Sequence, residues 1–182
     1  MLTEKQKTKI SKFLSLVLRH KPETIGIELD PNGWTDIHLL IEKSSEYGIP
    51  FNRDVLFNIV ETNAKRRFAL NESQDKIRAS QGHSVQIELG YVSKEPPVVL
   101  YHGTAEKSVN SILKSGLEKR NRQHVHLSSN IGTATKVGQR HGKPVILEIS
   151  SLEMHKANFK FYLSDNGVWL TDKVPIKYIS KM

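Results

Sequence analysis

The sequence has no cysteine. That excludes a disulfide framework, a thiolate metal site and a cysteine nucleophile, and it fits a reducing compartment. No apolar run approaches the roughly 18 residues of a membrane span. The start, "MLTEKQKTKI", has no apolar h-region, so no signal peptide is expected and the cytoplasm is the expected location. No G-x-G-x-x-G follows a strand pattern and no G-x-x-x-x-G-K-[ST] occurs. A Rossmann-type dinucleotide site and a P-loop are therefore not expected. There is no internal repeat and no low-complexity tract. Acidic residues are the scarcer charge: 19 against 27 Lys and Arg, for a net charge of +8. The imbalance is local. Residues 1–95 carry 14 basic and 13 acidic groups, whereas residues 96–182 carry 13 and 6. A basic excess of that kind attracts polyanions, either nucleic acid or a phosphate-rich small molecule.

The length of 182 residues suits one large domain or two small lobes. Pro96-Pro97 can continue neither a helix nor a central strand, and a boundary is expected there, dividing lobes 1–94 and 95–182. In the first lobe Ile10, Phe13, Leu14, Val17 and Leu18 make a helical stripe, which Pro22 ends. Arg19-His20 would then suit the helix C-terminus as cations. Ile37, Leu40 and Ile41 predict a second helix with Thr35 as N-cap and Gly48 as stop. Val55, Leu56, Ile59 and Val60 predict a third, capped by Asn52. "RRFAL" and "KIRAS" flank the polar "NESQD" and read as a hairpin. Three helices and a hairpin wing suggest a winged helix, a fold that often binds nucleic acid.

The second lobe reads as mixed α+β with a mostly antiparallel sheet. "VVLYHG" predicts a strand running into a turn; "HVHLS", "PVILEIS", "GVWLT" and "IKYIS" predict further strands. "SVNSILKSGL" and "IGTATKVGQRHG" predict short helices. If "NRQHVHLSSN" is a strand, Arg122, His124, His126 and Ser128 share one face, with Val125 and Leu127 on the other. His124 and His126 could hold a metal, but no third ligand is evident and Arg122 opposes a dication. An anion site suits the face better. Arg122 presents a fork that matches phosphate, Ser128 can donate, and Gly103 in "YHGT" would let a ligand approach the backbone.

Together these segments resemble the NAD-dependent RNA 2′-phosphotransferases. The marks are "SKFLSLVLRHKPETIGIELDPNGW" at 11–34, "KRRF" at 65–68, "IRASQGHS" at 77–84, "YHGT" at 101–104, "HVHLS" at 124–128 and "DNGVWLT" at 165–171. The resemblance implies an N-terminal winged-helix RNA-binding lobe and a C-terminal ADP-ribosyltransferase-like lobe that takes NAD. It implies removal of an internal 2′-phosphate from RNA, as left at a tRNA splice junction. A 2′-phosphate oxygen attacks the nicotinamide ribose of NAD and nicotinamide leaves. The neighbouring ribose hydroxyl then attacks phosphorus, giving 2′-OH RNA and ADP-ribose 1″,2″-cyclic phosphate. The family's essential set carries over as Arg19, His20, Arg67 and Arg122, with Arg66 the neighbour of the third. His20 is the acid–base candidate among them, because an imidazole titrates near pH 6.5. His102, Gly103, Thr104, His126, Ser128, Asn166 and Gly167 are the expected NAD contacts; no metal is implied, and a monomer is the default. Protein-modifying ADP-ribosyltransferases often use a late Glu, and none is evident in "DNGVWLTDK". Two rivals share these features: an ADP-ribosyltransferase that caps phosphorylated nucleic-acid ends, and a non-catalytic nucleic-acid-binding module.

Overall fold

The structure is a computed structural model that describes residues 3–63 and 65–182. The chain divides into two compact units, residues 1–90 and 91–182.

In the first unit, helix α1 spans Glu4–Val17. Thr3 opens it with a reciprocal capping box: its hydroxyl accepts from the Gln6 amide, and the Gln6 side chain accepts from the Thr3 amide. The expected stripe is the buried face. Ile10, Phe13, Leu14, Val17 and Leu18 all lie in the core, each such side chain being worth roughly 1.5–3 kcal/mol on burial. The helix ends sooner than Pro22 suggests. Leu18 is the C-cap and the last turn holds no basic residue. Arg19 and His20 therefore do not cap α1 from its last turn. They lie in the turn beyond it, where the His20 and Lys21 amides both donate to the Leu16 carbonyl. Pro22–Ile25 follow as a 3-10 turn, closed by Gly26 at φ 67°.

Strand β1 (Thr35–Asp36) leads into helix α2 (Ile37–Glu46). The N-cap is Asp36, whose carboxylate accepts from the Leu39 amide at 2.8 Å. Thr35 is instead buried in β1, paired with Ile77, where a β-branched residue belongs. Helix α3 (Arg53–Thr62) is capped by Asn52 as expected, through the Val55 amide at 3.0 Å. Strands β2 (Phe68–Leu70) and β3 (Lys76–Ala79) form the hairpin in antiparallel register, Phe68 facing Ala79 and Leu70 facing Ile77. The sheet order is β1-β3-β2. Leu14, Leu18, Ile37, Leu40, Leu56 and Ile77 fill the core beneath it.

The second unit is mixed α and β. Strand β4 (Leu100–Ala105) pairs with β7 (Pro144–Ile149) over its whole length, and β11 (Ile179–Lys181) adds to the other side of β7. Tyr101–Thr104 thus lie inside a strand, not at a strand end. Helix α4 (Glu106–Ser115) stops at Gly116, and β5 (Leu117–Glu118) pairs with β10 (Lys173–Val174). A third sheet has the order β6 (Val125–Leu127), β9 (Trp169–Thr171), β8 (Tyr162–Leu163). A Tyr101–Ser128 bridge ties the first and third sheets together. Helices α5 (Ile131–Gly138) and α6 (Ser151–Lys156) complete the unit. "IKYIS" begins as a 3-10 turn over Ile176–Tyr178 and becomes strand only at Ile179. All the pairings are antiparallel. The core is Leu100, Leu147, Ile149, Met154 and Phe161. Among the described residues no helix is long and apolar enough to cross a membrane.

Candidate functional site

In the first unit a chain turn and a hairpin bring three of the expected groups together. Arg19 is half-buried, and its Nη2 donates to the Arg67 carbonyl at 3.2 Å. Arg67 immediately precedes β2, and its Nη1 lies 3.5 Å from Ser11 Oγ on α1. The same Arg67 carbonyl accepts the Ser80 amide at 2.8 Å, which fastens it to the hairpin. Arg66 differs in conformation and exposure. It sits at φ 40°, exposed, with its carbonyl taken by Ser80 Oγ. His20 is exposed, and its Nδ1 lies 3.0 Å from Ser84 Oγ.

Beneath this surface lies His83, 1% exposed, with neither ring nitrogen hydrogen-bonded. Burial pushes its pKa down to about 3, and the positive charges of Arg19, His20 and Arg78 push the same way. The ring is neutral at any ordinary pH. Arg78 itself lies 4.5 Å over the Trp34 ring, a cation–π contact. His83, Ser84 and Arg78 were assigned no role from the sequence. Their signal was "IRASQGHS" itself, a stretch with four polar residue types and no periodicity to explain them.

In the second unit the strand over 122–128 is shorter than alternation suggests. Only Val125–Leu127 are strand, with Val125 and Leu127 buried and His126 half-buried between them. Arg122 reaches His126 from a turn, in which the Arg122 amide donates to the Lys119 carbonyl and Arg120 takes φ 50°. Its Nη1 lies 2.8 Å from His126 Nδ1. His102 on β4 donates Nδ1–H to the His126 carbonyl at 3.2 Å, since a carbonyl can only accept. Burial lowers the His102 pKa, and Arg122 and Arg120 lower it further. His124 parts company with this group. Its ring meets Tyr162 edge-on at 5.6 Å, and burial lowers its pKa although Asp172 opposes the shift. Among the described residues no group of three His, Asp or Glu is placed to hold a metal ion.

The other expected contacts are placed as follows. Thr104 is buried inside β4. At Gly103 the space where a Cβ would stand is filled by the Ala134 carbonyl of α5. That glycine admits a helix against the strand, and a ligand does not have that side of it. Ser128 Oγ accepts from the Asn130 amide and donates to the Asn130 carbonyl, both at 3.0 Å, just before α5. Asn130 caps α5 by accepting from the Thr133 amide. Asn166-Gly167 form the tight turn between β8 and β9, with Gly167 at φ 77° and Ser164 Oγ donating to Asn166 Oδ1 at 2.7 Å. Because Leu127 pairs with Trp169, this turn and Ser128 lie at the same end of the third sheet. His102, Arg122 and His126 therefore form one cluster, with Ser128 joined to it through Tyr101 on β4.

Comparison with known proteins agrees with one family along nearly the whole chain. The family model described as "RNA 2′-phosphotransferase, Tpt1 / KptA family" matches residues 5–173. A Flavobacterium johnsoniae protein named "Probable RNA 2′-phosphotransferase" is 57% identical over 170 residues, covering 93% of each chain. A Fusobacterium nucleatum protein of the same name is 53% identical over 172 residues, 94% of this chain and 96% of its own. One from Trichormus variabilis is 49% identical over 181 residues and 100% of both chains.

Proposed function

Because the chain belongs to the RNA 2′-phosphotransferase family, a family of enzymes, we propose that it removes an internal 2′-phosphate from RNA with NAD as co-substrate. The products would be 2′-OH RNA, nicotinamide and ADP-ribose 1″,2″-cyclic phosphate. The observation that carries this reading is the Arg19–Arg67 contact. It ties the Arg19 guanidinium, next in the chain to His20, to the main chain of Arg67, 48 residues away in sequence. Fixed positive charge with an imidazole beside it in the chain suits a phosphate that must be neutralised and oriented while a ribose hydroxyl gives up its proton.

In this reading the first unit is a winged-helix lobe that takes the RNA. The order α1-β1-α2-α3-β2-β3 with sheet order β1-β3-β2 supports it. The second unit is the ADP-ribosyltransferase-like lobe, and its antiparallel sheets support that assignment. Its donor set fits a dinucleotide. Arg122 is always charged and presents a fork for pyrophosphate oxygens, and the His102 ring is kept neutral as a hydrogen-bonding surface. Asn166-Gly167 and Ser128 add polar groups at the adjoining sheet end. NAD, when bound, supplies the ribose carbon that accepts the phosphate. Arg19 and His20 hold the RNA phosphate, Arg67 and Arg122 stabilise charge during the transesterification, and His20 moves the proton. The protein works as a cytoplasmic monomer.

The test is incubation with NAD and a short RNA bearing one internal 2′-phosphate, followed by separation of RNA and nucleotide products. Release of the cyclic phosphate with 2′-OH RNA establishes the reaction. Accumulation of ADP-ribosylated RNA in the wild type would indicate a capping transferase. RNA binding without NAD consumption would leave a binding module.

A further inference from the structure

His20 is a useful proton carrier only if one ring nitrogen is committed elsewhere and the other is presented. The segment Gly82–Val85 makes that commitment. The Ser84 amide donates to the Arg19 carbonyl at 2.9 Å, and the Val85 amide lies 3.4 Å from the same oxygen. Ser84 Oγ lies 3.0 Å from His20 Nδ1 and 3.5 Å from the Arg19 carbonyl. Gly82 takes φ 87°, a conformation that other residues rarely adopt, and so turns the chain beside the Arg19 guanidinium. His83 anchors the segment from below by complete burial.

The hydroxyl has one hydrogen and two candidate acceptors. A carbonyl oxygen can only accept, whereas Nδ1 can do either. Only one proton arrangement makes both contacts hydrogen bonds at once: Ser84 Oγ–H donates to the Arg19 carbonyl, and His20 Nδ1–H donates to Ser84 Oγ. The neutral ring then carries its proton on Nδ1 and leaves the Nε2 lone pair as the base.

We propose that Ser84 is a positioning residue, which fixes the Nδ1–H tautomer of His20 through the chain His20 Nδ1–H···Ser84 Oγ–H···Arg19 carbonyl. The proposal rests on His20 being the proton carrier in the reaction above. Ser84 acts through the imidazole and touches neither RNA nor NAD.

The test reads the tautomer directly. Nitrogen NMR of 15N-histidine-labelled full-length protein at mildly alkaline pH separates Nδ1–H from Nε2–H rings, and the His20→Ala variant identifies the His20 signals. The wild type is expected to show Nδ1–H. Ser84→Ala is expected to lose that preference, and kcat to fall roughly ten- to hundredfold, as for other misplaced general bases. KM for NAD should be unchanged. Ser84→Thr, which keeps the hydroxyl, is expected to restore both. An Nε2–H ring in the wild type, an unchanged tautomer in Ser84→Ala, or a shifted tautomer with unchanged kcat would each overturn the proposal. Failure of the threonine variant to restore the tautomer would do the same. Full activity in His20→Ala would sink the assignment of His20 instead, while the NMR result would still decide whether Ser84 sets its tautomer.

Discussion

Arg122 Nη1 lies 2.8 Å from Nδ1 of His126, and a guanidinium can only donate. His126 must therefore accept at Nδ1 and, as a neutral ring, carry its proton on Nε2. His102, whose Nδ1–H goes to the His126 carbonyl, holds the opposite tautomer. One arginine and one carbonyl so assign both rings, and the cluster presents an N–H from one and a lone pair from the other.

Arg122→Ala is expected to lower 2′-phosphate removal at least about a hundredfold, on the scale of losing an electrostatic stabiliser. Arg122→Lys should rescue little, because an ammonium lacks the planar fork. Arg122 is exposed, so circular dichroism should be unchanged in both variants. Steady-state product formation checks the prediction, and near-normal turnover by Arg122→Lys would contradict it.

Arg67→Ala should discriminate between RNAs. Affinity for RNA with an internal 2′-phosphate should fall by tenfold or so, while the same RNA without the phosphate loses far less, the outcome expected if the Arg67 guanidinium meets the doubly charged group in the proposed reaction. The salt slope for the phosphorylated RNA should shrink by about 0.7 to 1. Fluorescence anisotropy titrations at several salt concentrations measure both.

Gly103→Ala should disable the second unit as a fold. An added methyl would drive into the Ala134 backbone carbonyl, which no side-chain rotation relieves. Destabilisation of about 3 kcal/mol is expected, and a fall in Tm of more than about 10 °C follows for a unit of this size. A variant that melts with the wild type would show that α5 shifts freely on β4.

His83 should make the protein acid-sensitive. Its pKa is near 6.5 in the unfolded chain and about 3 in the fold. Between those values the unfolded state binds a proton that the folded state does not, so stability falls as the pH drops. The slope is about 1.4 kcal/mol per pH unit, and the effect is absent above pH 6.5. His83→Gln should flatten this part of the curve. Urea unfolding of both proteins at pH 7.5, 6.0 and 5.0 measures the difference, and parallel curves would rule the linkage out.

The helices were legible because their signals are local. The α1 stripe and the Asn52 cap depend on spacings of three and four residues, and both stand where the spacing puts them. The cap of α2 slipped by one residue, because Thr35 was wanted by a strand whose partner, Ile77, is 42 positions away. Arg122 and His126 were rightly read as neighbours but for the wrong reason. Four residues apart they share a face in an extended strand. Here a turn with Arg120 at positive φ delivers the arginine, and nothing about Arg advertises that backbone. Gly103 looked like room for a ligand; only the path of α5 reveals what fills the room. The bracing of His20 by Ser84 spans 64 residues and leaves no periodic trace at either end.

That long span has a kinetic meaning. Helix α1 and its capping box are built from contacts three and four residues apart and can form early. The turn that carries Arg19 and His20 is fastened by amides that reach the Arg19 carbonyl only after two helices, α2 and α3, and a hairpin have intervened. Contacts of such sequence separation close late. A nascent or truncated chain ending before residue 80 would lack the amides that set Arg19 and His20. The setting of this turn is thus a property of the finished first unit, not of the helix that leads into it.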